Sequence, residues 1–240
     1  MREYYGSAAK KYAQTKSKKY LVNPAIFRLL TKTKQSLRLL DLACGNGDLI
    51  DEIKKRGYKY TGMDISDDML KRARVDYHDE EFFLADARTF AKKTKVKYDV
   101  VLINMLMPAL SKRNDIKKVL VESKKVLRKN GRILVATNHP CFDPYMTYGL
   151  LKGKRVVTKF VGYFDSEKKF EVGAMLENKI LQFTDYHYTF EDYIKAINES
   201  GLSLRFLDEC EVPAILKKTD REYFDCKNLI PTFLIMELTI

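Results

Sequence analysis

Short apolar runs alternate with amphipathic stretches along most of the chain, which is the pattern of βαβ units that build a parallel sheet. Seven of the runs predict strands: Leu37–Leu42, Tyr58–Asp64, Glu81–Ala85, Tyr98–Asn104, Arg132–Thr137, Leu202–Asp208 and Thr232–Thr239. The fourth run, YDVVLIN, is nearly all apolar, as a central strand buried on both faces should be. The pattern therefore predicts the α/β class, with a doubly wound and mostly parallel sheet.

Helical spacing of apolar residues fills the gaps between these strands. Helices are predicted after Gly47, after Ser66 to about Asp76, over Asn114–Arg128, and after Thr189. The third of them is expected to close in an Asn130–Gly131 turn before the next strand. Ser66 suits an N-cap, and Thr189 with an acid three residues later resembles a capping box. From residue 138 to 185 the pattern changes to aromatic and β-branched residues between Gly, Lys and Glu, which predicts a few short antiparallel strands inserted at one edge.

Charge is distributed unevenly along the 240 residues. The net charge is 44 − 32 = +12, yet Met1–Arg38 alone holds ten Lys or Arg and one acid, a local net of +9. A basic arm can attract nucleic acid, but this one contains no RGG or aromatic-interleaved repeat, and a solvated helix face explains it as well. A nucleic-acid partner therefore stays an alternative rather than the leading prediction.

Other classes of protein are excluded by composition. The longest uncharged stretch, Val100–Ser111, is far shorter than the roughly 20 apolar residues of a membrane-spanning helix, so no membrane span is expected. The N-terminus has no secretory signal pattern, and the expected compartment is the cytoplasm. Four cysteines without a CxxC pair argue against a disulfide framework, and no His, Asp or Glu spacing predicts a metal site.

The sharpest motif is LLDLACGNG at residues 39–47, a buried strand that enters a glycine turn and then a helix. Gly45 and Gly47 lack side chains where the backbone turns and approaches a ligand, and the helix start behind them offers free N–H groups. Asp64 ends the next strand, where a carboxylate can accept hydrogen bonds from both hydroxyls of a ribose. Turn and acid together predict a nucleotide-like cofactor.

Two residues, one in this motif and one just after it, argue against a dinucleotide. The third glycine of the Gly-x-Gly-x-x-Gly fingerprint is replaced by Ile50. Asp41 places a negative charge at the turn, where it would repel a pyrophosphate and attract an amino group. The sequence therefore favours a cofactor with an amino-acid end and an adenosine end over NAD.

Five linked motifs carry a family resemblance. They are DLACGNG (41–47), TGMDIS (61–66), FLADA (83–87), YDVVLIN (98–104) and NGRILVAT (130–137). In this order and spacing they resemble the class I S-adenosylmethionine-dependent methyltransferases. The resemblance implies a Rossmann-like seven-stranded sheet with an antiparallel last strand, S-adenosylmethionine as cofactor, and S-adenosylhomocysteine as product.

The resemblance also implies which residues surround the methionine end of the cofactor. Asp41 would act through its carboxylate and Gly45 through its backbone, with Ala43 and Gly47 completing the turn. Asn104 would lie beside the sulfonium. Ala43 departs from the family, which has glycine at this position, but its side chain is small enough to fit.

On the adenosine end, the resemblance implies that Asp64 holds the ribose, while Ile65 and Met69 pack on the adenine. Asp86 would accept a hydrogen bond from the adenine amino group, and Ala87 would supply a backbone N–H.

A single domain, 1–240, is expected. Its predicted parts are an N-terminal helical lid (1–36), a cofactor-binding core (37–137), a cap insertion (138–185) and the C-terminal part of the sheet (186–240). Tyr4 and Tyr12 resemble the tyrosines of a lid that closes over the cofactor in members acting on small molecules.

Methyl transfer mainly requires that an acceptor be placed in line with the activated methyl group while water is excluded. His139 and His187 are the candidate catalytic residues because both adjoin predicted strand or helix ends that face the cofactor. Each could instead be a structural turn residue. The leading prediction is a methyltransferase acting on a small molecule; an RNA or protein methyltransferase, and a catalytically silent binding protein, stay open.

Overall fold

The computed structural model describes residues 15–142, 161–176 and 179–240. Its main feature is a seven-stranded sheet in the order β3-β2-β1-β4-β5-β9-β8. These strands are β1 Arg38–Leu42, β2 Lys59–Asp64, β3 Glu81–Leu84, β4 Tyr98–Asn104, β5 Leu127–Asn138, β8 Ser203–Asp208 and β9 Phe233–Thr239. The first five pair in parallel, whereas β9 is antiparallel to both of its neighbours. The predicted seven strands and the antiparallel last strand are confirmed.

Seven α-helices are assigned within the described residues. They are α1 Asn23–Leu29, α2 Ile50–Lys55, α3 Asp67–Asp76, α4 Arg113–Val126, α5 Phe190–Glu199, α6 Leu216–Thr219 and α7 Arg221–Leu229. A π-helical turn, Lys18–Val22, leads directly into α1. The predicted caps are confirmed: the Ser66 side chain accepts a hydrogen bond from the Met69 N–H, and Thr189 and Asp192 form a capping box at the start of α5.

Apolar side chains cover both faces of the sheet, as a doubly wound fold requires. On one face α4 and α5 contribute Ile116, Val119 and Ile197 to a core that contains Leu40 and Leu42 of β1. On the other face α1, α2 and α6 pack over Leu39 and Leu102; their buried residues include Ile26, Ile50, Ile53 and Leu216. Successive side chains of a strand point to opposite faces of the sheet, so Leu39 packs in one core and Leu40 in the other.

The start of β5 differs from the sequence prediction. The helix was expected to end in an Asn130–Gly131 turn before the strand, but the strand begins at Leu127. Leu127 pairs with Tyr98 and Arg132 with Val100, so the intervening residues bulge out of the ladder, and Asn130 takes a φ of 65°. Asn130 and Gly131 were correctly predicted to interrupt the regular structure, but they do so in a bulge within β5 rather than in a turn before it.

The inserted antiparallel strands are confirmed as one pair, β6 Lys169–Leu176 and β7 Lys179–Tyr186. Just after β7, the Tyr188 hydroxyl donates to the carbonyl of Leu110 at 2.5 Å, which fastens the end of this pair to the loop after β4. The division of the whole chain, 1–240, into four parts remains a prediction. No helix among the described residues is long and apolar enough to cross a membrane.

Candidate functional site

The carboxyl ends of the parallel strands lie at one edge of the sheet, and the turn after β1 forms the centre of this edge. Three residues of the turn have positive φ: Ala43 at 61°, Gly45 at 58° and Gly47 at 86°. The Cys44 N–H donates to the carbonyl of Met63 in β2, which fixes the turn against the neighbouring strand. The turn is therefore held against β2 and forms a cradle at the edge of the sheet.

The two glycines of the turn have different environments. A Cβ atom on Gly45 would meet nothing within 4 Å, so its backbone faces open space. A Cβ atom on Gly47 would lie 2.5 Å from Cδ1 of Ile50, which is fully buried. Gly45 thus leaves room for a ligand, whereas Gly47 lets Ile50 pack where a dinucleotide fingerprint would have glycine.

Asp41, in β1 next to this turn, is a buried carboxyl, with 3% of its surface exposed. The Tyr60 hydroxyl donates to Asp41 Oδ2 at 3.1 Å. Burial is the main reason why the pKa of Asp41 rises to about 7; the Tyr60 hydrogen bond opposes the rise, and the negative charge of Asp64 adds to it. Asp41 is consequently a carboxyl that lacks sufficient positive partners and would gain from a cation.

Lys18, in the π-helical turn, is the cationic side chain whose charge acts on this group. Its positive charge lowers the pKa of Asp41. Burial lowers the pKa of Lys18 itself, while the charges of Asp48 and Asp41 act in the opposite direction. The N-terminal turn therefore brings a positive charge to the acidic end of the cradle.

Asp64 ties the first turn to the loop after β2. Its Oδ2 accepts the Gly45 N–H at 2.9 Å, and its Oδ1 accepts the Ser66 N–H at 2.8 Å. Burial raises the pKa of Asp64, and hydrogen bonds from backbone N–H groups oppose the rise. An ionised carboxylate has about four acceptor sites, so oxygen lone pairs remain for hydroxyl donors.

The predicted adenine contacts lie beyond Asp64 along the same edge. Ile65 is 53% exposed, whereas Met69 and Ala87 are buried. The Ala85 N–H donates to the Asp64 carbonyl at 3.0 Å, which continues the β2–β3 pairing to the residue before Asp86. The exposed Ile65 can cover the face of a flat ring.

Asp86 is paired with an arginine that the sequence reasoning did not single out. Arg88 donates to Asp86 Oδ2 through Nη2 at 2.6 Å and to Oδ1 through Nε at 3.0 Å. This hydrogen bonding holds the pKa of Asp86 below its ordinary value. The signal was available in the sequence, because Arg88 lies two residues after Asp86.

Asn104, at the end of β4, presents a buried polar atom. Its Oδ1 has no hydrogen-bond partner among the described residues. A buried acceptor of this kind costs free energy unless a donor reaches it. Asn104 therefore marks a place where a ligand or water would be favourable.

His139 adjoins the end of β5 and is 2% exposed. Its Nδ1 accepts the Cys141 N–H at 3.2 Å, so the Nε2–H faces Glu209 Oε1 at 3.1 Å. Burial lowers its pKa, and Glu209 opposes this. Both ring nitrogens thus carry hydrogen bonds that fix the chain after β5 and after β8.

His187 lies between β7 and α5 and is fully buried. Its Nε2 donates to the carbonyl of Tyr163 at 2.8 Å, and its backbone N–H donates to Lys168. These bonds join the inserted strand pair to the loop that precedes it. The catalytic roles of His139 and His187 stay predictions.

Tyr4 and Tyr12 lie outside the described residues, as do residues 143–160 of the predicted cap. The structure brings together Asp41, Gly45 and Asp64 through direct bonds and charge interactions. Sequence reasoning missed Tyr60, Lys18 and Glu209, whose partners lie 19 or more residues away along the chain. Within the described chain, no three His, Cys, Asp or Glu side chains group as metal ligands.

Comparison with known proteins shows similarity to methyltransferases. Residues 39–131 match the family described as "Methyltransferase domain". A ubiquinone biosynthesis O-methyltransferase of Pelagibacter ubique is 28% identical over 157 residues, which is 63% of this chain and 62% of that protein. The chain thus spans less than two-thirds of the length of this relative.

Two further matches cover more of the chain. An uncharacterized methyltransferase of Schizosaccharomyces pombe, C70.08c, is 26% identical over 222 residues, which is 87% of this chain and 78% of that protein. The crystal structure of an S-adenosylmethionine-dependent methyltransferase from Mesorhizobium loti superposes with a TM-score of 0.65 at 19% identity, covering 90% of this chain and 95% of that one. The structural match establishes the similarity of the fold.

Proposed function

We propose that this chain, which belongs to the class I S-adenosylmethionine-dependent methyltransferases, transfers the methyl group of S-adenosylmethionine to a small-molecule acceptor. The observation that carries the proposal is the set of groups at the sheet edge: buried Asp41, the open backbone of Gly45, anchored Asp64 and the unpaired oxygen of Asn104. Each offers what one part of this cofactor would need.

The residues along the sheet edge match successive parts of the cofactor, from its amino-acid end to its adenine. Asp41 would bind the α-ammonium group, because a cation would offset the burial of the carboxylate. Asp64 would accept the ribose hydroxyls with the lone pairs that Gly45 and Ser66 leave free. Ile65 would cover the adenine, whose amino group would reach Asp86.

S-Adenosylmethionine supplies a methyl group that is already activated on a sulfonium. The chain's own task is therefore to orient the acceptor and exclude water, and orientation alone can be worth about 7–11 kcal/mol in well-positioned systems. We propose Asn104 as the residue beside the reacting end, where its unpaired Oδ1 would accept a hydrogen bond.

The basic side chains near the N-terminus interact with acidic side chains of the same chain, which favours a small acceptor over a nucleic acid. Lys16 pairs with Asp220 and Arg28 with Asp208, and Lys18 is drawn toward Asp41 and Asp48. Acids of the same chain thus partly neutralise these side chains, which reduces the positive field left for a phosphate backbone. The Pelagibacter relative, by its name, methylates an oxygen during ubiquinone synthesis, which also supports a small acceptor.

The first test is calorimetric titration of the purified chain with S-adenosylmethionine, S-adenosylhomocysteine and NADH. We expect micromolar binding of the two sulfur ligands and none of NADH. Binding of NADH alone would overturn the cofactor assignment.

Turnover is then measured as S-adenosylhomocysteine formed with a panel of small phenols, carboxylic acids and amines, and with RNA at several salt concentrations. Cofactor binding without any turnover would favour a silent binding protein, and salt-sensitive RNA methylation would favour the RNA alternative.

The two histidines require a separate test. For a histidine that acts as a general base, replacement by asparagine should lower kcat about 100-fold or more while the thermal midpoint changes little. For a structural histidine, the midpoint should fall and kcat should be retained. His139→Asn and His187→Asn, measured side by side, distinguish the two roles for each ring.

A further inference from the structure

We propose that Arg88, held by Asp115, is a positioning residue that sets Asp86 to read the amino group of adenine, so that this site selects adenosine over inosine cofactors. The inference rests on the proposed function, because it concerns the adenine end of the same site. The juxtaposition of these three side chains carries it.

Arg88 grips Asp86 with both its side chain and its backbone. The side chain forms a two-pronged contact, with Nη2 2.6 Å from Oδ2 and Nε 3.0 Å from Oδ1. The Arg88 backbone N–H also donates to Oδ1 at 2.9 Å. A planar fork on a carboxylate fixes its rotation as well as its position. Asp86 is consequently oriented before a ligand arrives.

Asp115, at the start of α4, holds the other side of the guanidinium. Arg88 Nη1 lies 3.3 Å from Asp115 Oδ2, and Lys118 Nζ lies 3.1 Å from Asp115 Oδ1. The side chain of Asp115 is only 11% exposed, so a well-packed helix anchors the arginine. The clamp thus joins the loop after β3 to a core helix.

The chemistry of a clamped carboxylate determines which base it accepts. An ionised carboxylate only accepts hydrogen bonds, so it attracts the amino group of adenine and repels the oxo group of hypoxanthine. The three donors from Arg88 occupy most of the acceptor sites of Asp86, which leaves one direction open for the base. A site built on such a bond discriminates against an analogue that cannot make it.

The test compares two ligands that differ in one group: S-adenosylhomocysteine and its inosine analogue, in which an oxo group replaces the amino group. Affinities for the full chain are measured by calorimetry at pH 7. We expect the unmodified chain to prefer the adenosine form by on the order of 100-fold. Arg88→Leu should reduce this preference to about tenfold or less, mainly through weaker binding of the adenosine form. Asp86→Asn, whose amide can both donate and accept, should bind the two ligands within a few-fold.

Matched controls separate positioning from general stability. Arg128→Leu removes an arginine of similar exposure that pairs with Asp99 at the opposite edge of the sheet, and it should keep the full preference. Arg88→Lys retains the charge but loses the fork, so it should recover only part of the preference. Asp115→Asn leaves Asp86 in place and should lower the preference in the same direction as Arg88→Leu.

A pH series gives a readout that a structural role would not change. The charged groups that face Asp86 are Arg88 from its own loop and Asp115 and Lys118 from α4. Because Arg88 lowers the pKa of Asp86, the Arg88→Leu variant should lose its remaining preference at a higher pH than the unmodified chain as the pH falls from 7. An unchanged preference and pH profile in Arg88→Leu would overturn the inference while leaving the proposed function intact. Failure of the unmodified chain to bind either nucleoside would overturn both.

Discussion

Asp41 and Asp86 sit near the ends of parallel strands of one sheet, and their surroundings differ in opposite directions. Asp41 is buried beside Tyr60, close to a second carboxylate, and its pKa rises to about 7. Asp86 is partly exposed and gripped by Arg88, and its pKa falls below the ordinary value. One residue type, near the carboxyl ends of two strands of one sheet, thus has two different electrostatic states.

The difference shows how a site can prepare for the two ends of one ligand. The positive charge near Asp41 does not offset the burial of its carboxylate, so binding of a cationic group there should release a large free energy. Asp86 already has its positive partner, so it is a fixed acceptor for a neutral donor. Affinity should therefore depend mainly on the Asp41 end and base selectivity on the Asp86 end.

The largest expected effect comes from Asp41→Asn. Loss of the carboxylate leaves a ligand ammonium without its partner in a buried place, which should weaken binding of S-adenosylhomocysteine about 100-fold or more. Methylthioadenosine, which lacks the amino-acid end, should bind with unchanged affinity. Both are measured by calorimetry, with Asp99→Asn at the opposite edge as the control. Equal losses for the two ligands would contradict the assignment of Asp41 to the ammonium.

The same variant has a predicted effect on stability. Because the folded chain raises the pKa of Asp41, its contribution to stability is complete below the ordinary pKa of 3.8 and is lost as the pH rises through about 7. Asp41→Asn mimics the protonated form, so its thermal midpoint should exceed that of the unmodified chain at pH 8. The difference should shrink as the pH falls toward 5, and a constant difference would contradict the raised pKa.

A somewhat smaller effect is expected from pH alone. Below about pH 7 Asp41 carries a proton that an incoming ammonium must displace. Affinity for S-adenosylhomocysteine should therefore fall by up to about tenfold per pH unit below pH 7, with release of about one proton per molecule bound. Titrations in two buffers of different ionisation enthalpy measure the proton directly. Asp41→Asn should abolish both effects, and methylthioadenosine should not show them.

Asp64 lies between the two extremes, because burial raises its pKa and backbone donors oppose the rise. Asp64→Ala should weaken S-adenosylhomocysteine and methylthioadenosine equally, by about tenfold, since both contain the ribose. Loss of the bonds to Gly45 and Ser66 should also lower the thermal midpoint by about 3–8 °C. A lower midpoint with unchanged affinities would make Asp64 a purely structural residue.

The smallest effect is expected at Ala43, which has a φ of 61° in the turn between the two carboxylates Asp41 and Asp64. A left-handed conformation is costly for alanine and free for glycine, so Ala43→Gly should stabilise the chain by about 0.5–1 kcal/mol. Chemical denaturation measures this change. Ligand affinities should stay the same, and a marked loss of affinity would show that the alanine methyl group contacts the ligand.

The sequence by itself determined the order of the strands along the chain, the helices between the first five of them, and the positions of the turn and its acids. It did not predict the helices α6 and α7 between β8 and β9. Apolar runs fixed the strands because side chains buried on both faces have few alternatives. The DLACGNG turn could be predicted because glycine permits the sharp turn of the backbone. Asp64 could be predicted because an acid at the end of a strand can bind ribose hydroxyls. Ser66 and Thr189 could be predicted because caps bond to neighbours in the chain.

Only the tertiary structure decided how deeply each acid is buried and which distant groups it meets. Tyr60 reaches Asp41 across 19 residues, Arg88 reaches Asp115 across 27, and Glu209 meets His139 across 70. The raised pKa of Asp41 comes mainly from burial, which depends on such distant neighbours and could not be predicted from its place in the sequence. The lowered pKa of Asp86 comes mainly from Arg88, two residues away, and only the anchoring of Arg88 by Asp115 required the packed structure. Local bonding is encoded by adjacent residues, whereas burial and the pairing of distant charges arise only when the layers pack together.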